Sequence, residues 1–348
     1  MSLSKTLLGL ISIITFSIMM VSFAVKQKDD GEVTFIIPKG WPKPAYDFKK
    51  NPVTQEGFKL GRKLFFDPVL SRDSSISCNS CHTQFSAFTH VDHSVSHGIN
   101  GLKGTRNSST IFNMAWNTSF MWDGRVKTLE EQPINPITNP VEMNNTMENI
   151  VIKLNQSSTY KEDFNKAFGK GTITSQKVLK ALAEFLVSLE SYTSKYDKVI
   201  VLKSKDIYFT EDEKEGLQIF RNHCAQCHKE PLFTDYRFKN IGLKVIPAYL
   251  DYGRMLITHD PKDSLLFKIP SLRNVAASYP YMHDGRFNTL EEVIDHYRSA
   301  IIQSPTLAPE LSEPLNINNK QKEQLIAFLN TLTDDQFLYD IRFRNWAR

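Results

Sequence analysis

The sequence predicts a mainly α-helical chain that folds into two domains related by duplication, with few and short strands. Two short patterns occur twice in the same order, which indicates an internal repeat. Apolar residues recur at helical spacing, most clearly over residues 178–189 and 320–332, whereas the alternation typical of strands is rare. A length of 348 residues fits two domains, and 41% apolar residues are enough to build their cores.

The first repeated pattern is a pair of cysteines with two residues between them and a histidine directly after the second. Thiols at this spacing can add to the vinyl groups along one edge of a porphyrin, and the adjacent imidazole can then reach the iron. Two disulfides or a zinc site are the alternatives, although CxxC pairs that share zinc lie only about 15–20 residues apart. The pattern predicts two covalently bound c-type haems, attached at Cys78, Cys81 and His82 and at Cys224, Cys227 and His228.

The second repeated pattern is a ten-residue stretch that occurs at residues 122–131 and again at 283–292, with seven identical positions. An Arg-Asn pair precedes each copy, at residues 106–107 and 273–274. Because both patterns recur in the same order, we expect two cytochrome c-like haem domains.

The predicted domain boundaries follow from these repeats. We place the first haem domain at residues 38–195 and the second at 206–348, with a polar, Lys-rich linker over 191–206. A capping box formed by Thr210 and Glu213 predicts the start of the helix that leads to the second haem motif. The last helix of the second domain can also pack back on the first domain.

The N-terminal segment, residues 1–25, differs from the rest of the chain. Lys5 is followed by an apolar run over 7–25 that ends near the small residues Ser22 and Ala24, as in a cleavable secretory signal. The run is also nearly long enough to span a bilayer, so a retained membrane anchor is the alternative. Either outcome predicts export to the periplasm, where bacteria attach c-type haem. A net charge of +4 without a dense Lys/Arg run gives no indication of nucleic-acid binding.

The two halves differ at the position where a second iron ligand is needed. In the second half, Leu290, Val293, Ile294 and Tyr297 follow helical spacing, which directs Tyr297 toward the buried haem face. His296 lies about 100° away on the same helix and is the alternative ligand. A core tyrosine whose hydroxyl bonds another group is the non-functional alternative.

In the first half, prolines interrupt the corresponding helix, and the segments 133–140 and 305–314 are both predicted to be loops. Loops must then complete the first haem pocket, which predicts a more open iron. Glu142 offers a carboxylate from such a loop, although the residues alone favour an exposed loop acid without a catalytic role. Three histidines follow the first haem motif, and their spacing singles out none as an iron ligand: His90, His93 and His97.

Together these residues resemble the bacterial dihaem cytochrome c peroxidases and their MauG-like relatives. The resemblance extends roughly over residues 54–332. It rests on stretches that include Phe-Asp-Pro-Val-Leu-Ser before the first haem motif, Arg-Asn-Ser-Ser-Thr after it, Trp-Asp-Gly-Arg, Pro-Val-Glu-Met-Asn and Pro-Tyr-Met-His-Asp-Gly.

The resemblance implies a role for each matching residue. His82 would be the proximal ligand of a peroxidatic haem, and His97 would cap its iron in the oxidised resting enzyme. Glu142 would be the acid-base residue, and Trp122 would relay electrons between the haems. His228 would hold the electron-transfer haem.

A calcium site between the domains is also implied by the resemblance, formed by Asn107 with backbone carbonyls near Ser278 and Pro280. Such oxygen ligands suit a hard cation. Tyr297 departs from the typical peroxidases, which have Met there, and it resembles the MauG branch. Tyrosine favours ferric iron and should lower the potential of the second haem.

The expected function is the reduction of hydrogen peroxide to water with electrons from a small periplasmic donor such as a cytochrome c. One alternative is a MauG-like oxidase that acts on a partner protein or a small molecule. The other is a dihaem electron carrier without catalytic activity. The sequence leaves open whether the chain forms a homodimer.

Overall fold

Helices dominate the part of the chain that the computed structural model describes, residues 33–345. All of these residues belong to one compact unit, and within them no helix is long and apolar enough to cross a membrane. The predicted signal or anchor at residues 1–25 lies outside the described residues. The helices are α1 (Gln55–Phe66), α2 (Ile134–Thr138), α3 (Met147–Gln156), α4 (Ser158–Phe168), α5 (Ser175–Val187), α6 (Glu211–His223), α7 (Met255–Thr258), α8 (Leu290–Ser299), α9 (Asn319–Asn330) and α10 (Asp335–Leu338).

Strands are as few and short as the sequence predicts. β1 (Phe238–Lys239) and β2 (Phe267–Lys268) pair in antiparallel register, with Phe238 opposite Lys268. The prediction of a mainly α-helical protein is therefore confirmed.

The first domain is built on the crossing of α1 and α5. Gly61 of α1 faces the backbone carbonyl of Ala181, so a Cβ at this position would collide with it. Aromatic rings fill the space around the crossing, and the Phe65 and Phe185 ring centroids lie 5.0 Å apart. Both rings are buried, which makes this crossing the centre of the first hydrophobic core.

The second domain repeats this arrangement with α6 and α9. Thr210 and Glu213 form the predicted capping box at the start of α6, and the helix delivers Cys224 at its end. Gly216 faces the carbonyl of Gln324 on α9 just as Gly61 faces Ala181. The two halves therefore share a close helix crossing as well as a sequence motif.

The repeated ten-residue stretch has the same backbone in both domains. Asn113 and Asn274 have φ angles of 54° and 56°, and each precedes a short 3-10 turn. Each lies nine residues before the repeated stretch. The sequence comparison paired Asn107 with Asn274, and the structure corrects this because Asn113 holds the equivalent position.

A buried polar seam, formed by Asn113, Ser191, Asn274 and Asp334, joins the two domains. The Asn113 amide exchanges two hydrogen bonds of 2.9 Å with the backbone of Ser191. Asn274 donates to the Ser191 hydroxyl, and that hydroxyl donates to Asp334. Every one of these side chains is buried, so the seam cannot open without exposing unpaired polar groups.

The segment predicted as a polar linker, residues 191–206, is folded into the structure over much of its length. Arg273 is fully buried and donates two hydrogen bonds of 2.8 Å to the carboxylate of Asp197. The segment therefore connects the domains through buried ion pairing. The lysines of this stretch predict an exposed linker, whereas the ion pair between Asp197 and Arg273 depends on a contact with a distant segment that the sequence pattern does not indicate.

The C-terminal residues lie on the first domain. Phe337 and Phe343 belong to the first hydrophobic core, with ring centroids 5.8 Å apart. Gln84 donates hydrogen bonds to the carbonyls of Phe337 and Asp340. The chain thus returns from the second domain to the first after α9.

One local prediction was wrong. The proline-rich segment 133–140 was expected to be a loop, but it contains α2, a five-residue helix. Pro133 and Pro136 lie where a first helical turn needs no backbone N–H donor, so the prolines are compatible with a helix this short. The corresponding α8 has ten residues, which confirms that the first half has the shorter helix here.

Gly216→Ala provides a test of the close crossing in the second domain. Alanine is favoured over glycine in a helix by about 1 kcal/mol, so intrinsic propensity predicts a gain in stability. We expect a loss of about 1–3 kcal/mol in the free energy of unfolding, because the added methyl group must displace the Gln324 backbone. Urea unfolding followed by circular dichroism measures the difference. The exposed neighbour Glu215→Ala should change little, and a stabilised Gly216→Ala protein would contradict the crossing geometry.

Candidate functional site

The first haem motif forms a tight turn that presents its histidine. Cys78 accepts a hydrogen bond from the backbone N–H of His82, which closes the turn over the two cysteines. The Nδ1 atom of His82 lies 2.6 Å from the carbonyl oxygen of Phe88 and donates to it. Burial lowers the pKa of His82, so the ring is neutral and its Nε2 is free to bind a metal.

The second haem motif repeats this geometry at the end of α6. The Nδ1 atom of His228 lies 3.1 Å from the carbonyl oxygen of Phe233, and burial lowers the pKa of this imidazole as well. Both histidines thus have their tautomer fixed by a backbone acceptor. This is the usual arrangement of a metal-binding histidine.

A cavity of about 550 Å³ lies above the second motif. Its volume and its largely apolar lining are typical of a site for a large cofactor. The residues that line it fit a haem attached at the second motif, and they include Cys224, Cys227, His228, Leu290, Ile294 and Tyr297.

The structure separates the two candidate ligands on α8. Tyr297 lines the cavity, and burial is the main cause of the raised pKa of its phenol. His296 is buried elsewhere, with its Nε2 2.8 Å from the carbonyl oxygen of Ile241. Of the two residues, Tyr297 is therefore the one that can approach a haem in this cavity.

The structure brings Glu142 and the loop of His97 together beside the first motif. The carbonyl of Glu142 accepts a hydrogen bond of 2.8 Å from Ile99, and Gly98 is in direct backbone contact with Glu142. The Sγ atom of Cys81 lies 3.5 Å from the carbonyl of His97. A side chain at position 98 would force these segments apart, so the glycine permits the contact.

The Glu142 carboxyl group is half-buried, and Asn139 donates a hydrogen bond of 2.7 Å to it. Burial raises the pKa of Glu142, and the Asn139 bond opposes this shift only in part. A carboxyl group in this state exchanges protons closer to neutral pH than an exposed one.

The three histidines after the first motif form a stack. The ring centroids of His90 and His93 are 4.0 Å apart, and those of His93 and His97 are 4.1 Å apart. Burial, followed by the neighbouring His93 and His82, lowers the pKa of His90 to about 4. No pattern in the sequence predicts that these three rings stack on one another.

Trp122 lies at the contact between the domains and lines the cavity. Its indole N–H donates a hydrogen bond of 2.8 Å to the carbonyl of Asn107. Its own carbonyl accepts a hydrogen bond of 2.7 Å from the backbone N–H of Lys268. The backbone N–H of Asn107 in turn donates 2.7 Å to the carbonyl of His283. Residues of both domains thus fix the position of this tryptophan.

Lys268 is a cavity residue that the sequence analysis missed. Its ammonium group donates 2.8 Å to the carbonyl of Ser119, and burial lowers its pKa to about 8. A cation in this position is suited to pair with a carboxylate of a bound porphyrin. The only available signal was a lysine within the apolar run Leu-Leu-Phe-Lys-Ile-Pro.

Arg106 forms a second missed feature, an ion network at the domain contact. Its guanidinium binds Asp123 at 2.6 Å and Asp251 at 2.6 and 2.8 Å, and both carboxylates are buried. Burial alone would raise the pKa of Asp251. The hydrogen bonds and charge of Arg106 outweigh it and hold that pKa below its ordinary value.

Two CxxCH motifs with oriented histidines and a haem-sized cavity define a dihaem c-type cytochrome with an ionisable residue beside the first motif. The model of the di-haem cytochrome c peroxidase family matches residues 55–205, and the model of cytochrome c matches residues 213–333. The chain belongs to the dihaem cytochrome c peroxidase family, whose members include peroxidases and MauG proteins. Family membership also confirms the expectation of two c-type haems.

Relatives of both kinds match most of the chain. The methylamine utilization protein MauG of Methylorubrum extorquens is 37% identical, over 85% of this chain and 82% of the relative. The cytochrome c551 peroxidase of Nitrosomonas europaea is 34% identical, over 82% of each chain. The crystal structure of a MauG-like protein associated with microbial copper homeostasis superimposes with a TM-score of 0.80 at 32% identity, covering 90% of this chain and 99% of that one.

Arg106→Gln tests how much the ion network of Arg106 stabilises the contact between the domains. We expect a loss of about 3–5 kcal/mol in the free energy of unfolding at pH 7, because buried Asp251 loses its ion-pair partner and buried Asp123 keeps only Arg125. A depressed carboxyl pKa stabilises the fold above its unfolded value of about 4, and this contribution disappears as the pH falls through the folded pKa. The difference between wild type and variant should therefore shrink below pH 4.

Chemical denaturation from pH 3 to pH 7, followed by far-ultraviolet circular dichroism, measures this trend. Arg72→Gln is the matched control, because Arg72 is exposed and lies outside the network. A stability difference that stays constant with pH would be inconsistent with the ion network.

Proposed function

We propose that this protein is a periplasmic dihaem peroxidase that reduces hydrogen peroxide to water. The observation that carries the proposal is a half-buried carboxyl group, Glu142, held against the loop of His97 beside Cys81. The first domain, residues 38–195, reduces peroxide, and the second, residues 206–348, receives electrons from a small donor such as a cytochrome c. The names of the peroxidase relatives support this reaction. The two CxxCH motifs support the periplasmic location, because bacteria attach c-type haem there.

When bound, the first haem supplies the iron that takes up peroxide and the electrons that cleave its O–O bond. Glu142 would accept a proton from one peroxide oxygen and return it to the other, so that water leaves instead of hydroxide. Its raised pKa, caused by burial, suits a group that must both accept and donate a proton near neutral pH. Asn139 orients the carboxyl group for this transfer.

The remaining residues have supporting roles. His82 and His228 would hold the two haem irons, and Tyr297 would be a further ligand of the second. His97 would cap the first iron in the oxidised resting enzyme and release it on reduction. Trp122 relays electrons between the domains, since it contacts residues of both.

A calcium ion at Asn107 completes the proposal. The Oδ1 atom of Asn107 is buried without a hydrogen-bond partner, and its Nδ2 atom lies 2.6 Å from the carbonyl of Pro280. Rotation of the amide would set two oxygens side by side, which is a suitable start for a calcium site that includes Ser278. Such an ion would bridge the two domains next to Trp122.

A MauG-like oxidation of a partner protein is the second candidate. Tyr297 at the second haem favours it, because a tyrosinate ligand stabilises ferric iron. Donor turnover distinguishes the two functions: a peroxidase oxidises a reduced cytochrome c in proportion to added peroxide, whereas a MauG-like enzyme does so poorly.

Glu142→Gln should lower the rate of peroxide reduction by about 100- to 10,000-fold, the range expected for loss of a general acid-base group. Stopped-flow mixing with peroxide and a reduced cytochrome c measures the rate, starting from the oxidised and the half-reduced enzyme. Haem content should be unchanged. Glu148→Gln is the control, because Glu148 is an exposed acid of the same region.

Full turnover by the Glu142→Gln protein would rule out the acid-base role. Activity that appears only after half-reduction supports the capping role of His97. Equal activity from the oxidised enzyme would contradict that role of His97 without affecting the proposed acid-base role of Glu142.

Tyr297→Met should raise the reduction potential of the second haem, because a neutral thioether stabilises ferric iron less than a phenolate does. We expect a rise of at least about 100 mV, within the ~0.8 V range that axial ligands span. Spectroelectrochemical titration of each haem measures it, with Tyr208→Phe as an exposed control. An unchanged potential would mean that Tyr297 does not bind the iron.

A further inference from the structure

A cluster of metal-binding side chains lies outside both haem motifs. His90, Asp92 and His93 each offer one ligand atom, and these atoms lie within 4.8 Å of one another. His90 is buried, His93 is 21% exposed at its side chain, and Asp92 is 78% exposed. The cluster therefore has a buried floor and an open side through which an ion can enter.

Two ring nitrogens of this cluster have no hydrogen-bond partner. They are Nδ1 of His90 and Nε2 of His93, and both atoms are inaccessible to solvent. A buried polar atom without a partner costs about 1–3 kcal/mol. A stack of histidines that served only for packing would carry this cost twice, whereas a metal ion would satisfy both atoms. Binding at Nδ1 of His90 moves the ring proton to Nε2, so the long hydrogen bond of 3.4 Å that Nε2 accepts from the backbone N–H of Ser108 is given up.

Asp92 is placed to orient one of the two rings. Its carboxylate lies 2.6 Å from Nδ1 of His93, which leaves Nε2 of that ring as the nitrogen for a metal. A histidine that binds a metal usually donates its other ring N–H to a carboxylate or a carbonyl. His93 thus has the arrangement already seen for the two haem-binding histidines.

We propose that His90 and His93, with Asp92 orienting the His93 ring, form a binding site for one divalent transition-metal ion of borderline softness, of which Zn²⁺ is the representative. Two imidazoles suit such an ion better than they suit Ca²⁺ or Mg²⁺. The rings of His90 and His93 are 10° from parallel, so binding turns His93 toward the ion, and its partial exposure leaves room for this rotation. The site does not depend on the proposed peroxidase activity.

Calorimetric titration of the haem-loaded protein with zinc chloride tests the proposal. The protein carries no histidine tag, and calcium is present in excess so that sites made of oxygen ligands are filled. We expect one zinc ion per chain. Absence of zinc binding under these conditions would overturn the proposal.

Variants assign the binding to this cluster. His93→Gln should weaken zinc binding by at least about 100-fold, and Asp92→Asn by about 10- to 100-fold, the usual effect of removing a group that orients a ligand. His259→Asn is the control, because His259 is exposed and has a φ of 58° that asparagine tolerates. Zinc binding that is equal in Asp92→Asn, His93→Gln and wild type would refute the site.

The coordination shell gives a second, independent result. X-ray absorption at the zinc edge should show two imidazole nitrogens at about 2.0–2.1 Å, which is distinct from the iron signal of the haems. Because Asp92 is exposed, the Asp92→Asn protein is expected to fold normally even if a change at buried His90 does not. A shell of oxygens alone would place the zinc elsewhere and overturn the assignment.

Discussion

The buried polar seam between the two haem domains is the constraint on which the rest of the structure depends. Asn113 and Asn274 hold equivalent places in the two halves, and both bind Ser191, which follows the last residues of α5. A buried amide or hydroxyl that loses its partner is costly, so the seam allows one relative placement of the domains. Electron transfer between two haems requires such a fixed placement.

The two halves keep the same framework and differ in how they complete their haem pockets. In each half a glycine permits a close helix crossing, and a backbone carbonyl fixes the tautomer of the haem histidine. The second half then has a ten-residue α8 that carries Tyr297 into the cavity. The first half has only the five-residue α2, and the loops around His97 and Glu142 take its place. The two halves thus share a framework, and the shorter α2 leaves the place of the longer helix to the loops that carry His97 and Glu142.

Local spacing explains what the sequence could predict. The CxxCH motifs and Tyr297 could be identified because their chemistry depends on residues within one or two helical turns. The equivalence of Asn113 and Asn274 is hidden in the sequence, because the Arg-Asn pair at residues 273–274 is identical to the pair at 106–107 and matches it instead. The Arg106 network, Lys268 and the histidine stack depend on contacts between segments distant in the chain or on an irregular loop, and no periodicity reports those.

The position of Trp122 shows why the domain contact matters for the chemistry proposed at either haem. Its indole is held by Asn107, which binds the backbone of the second domain at His283 and Pro280. Its own carbonyl accepts a hydrogen bond from the backbone N–H of Lys268. Lys268 also belongs to the second domain and lines the cavity. A change in the relative placement of the domains would therefore move the tryptophan and the cavity wall together. An aromatic ring held by both domains cannot shift without disturbing its contacts to each of them, whereas a ring on a free loop could.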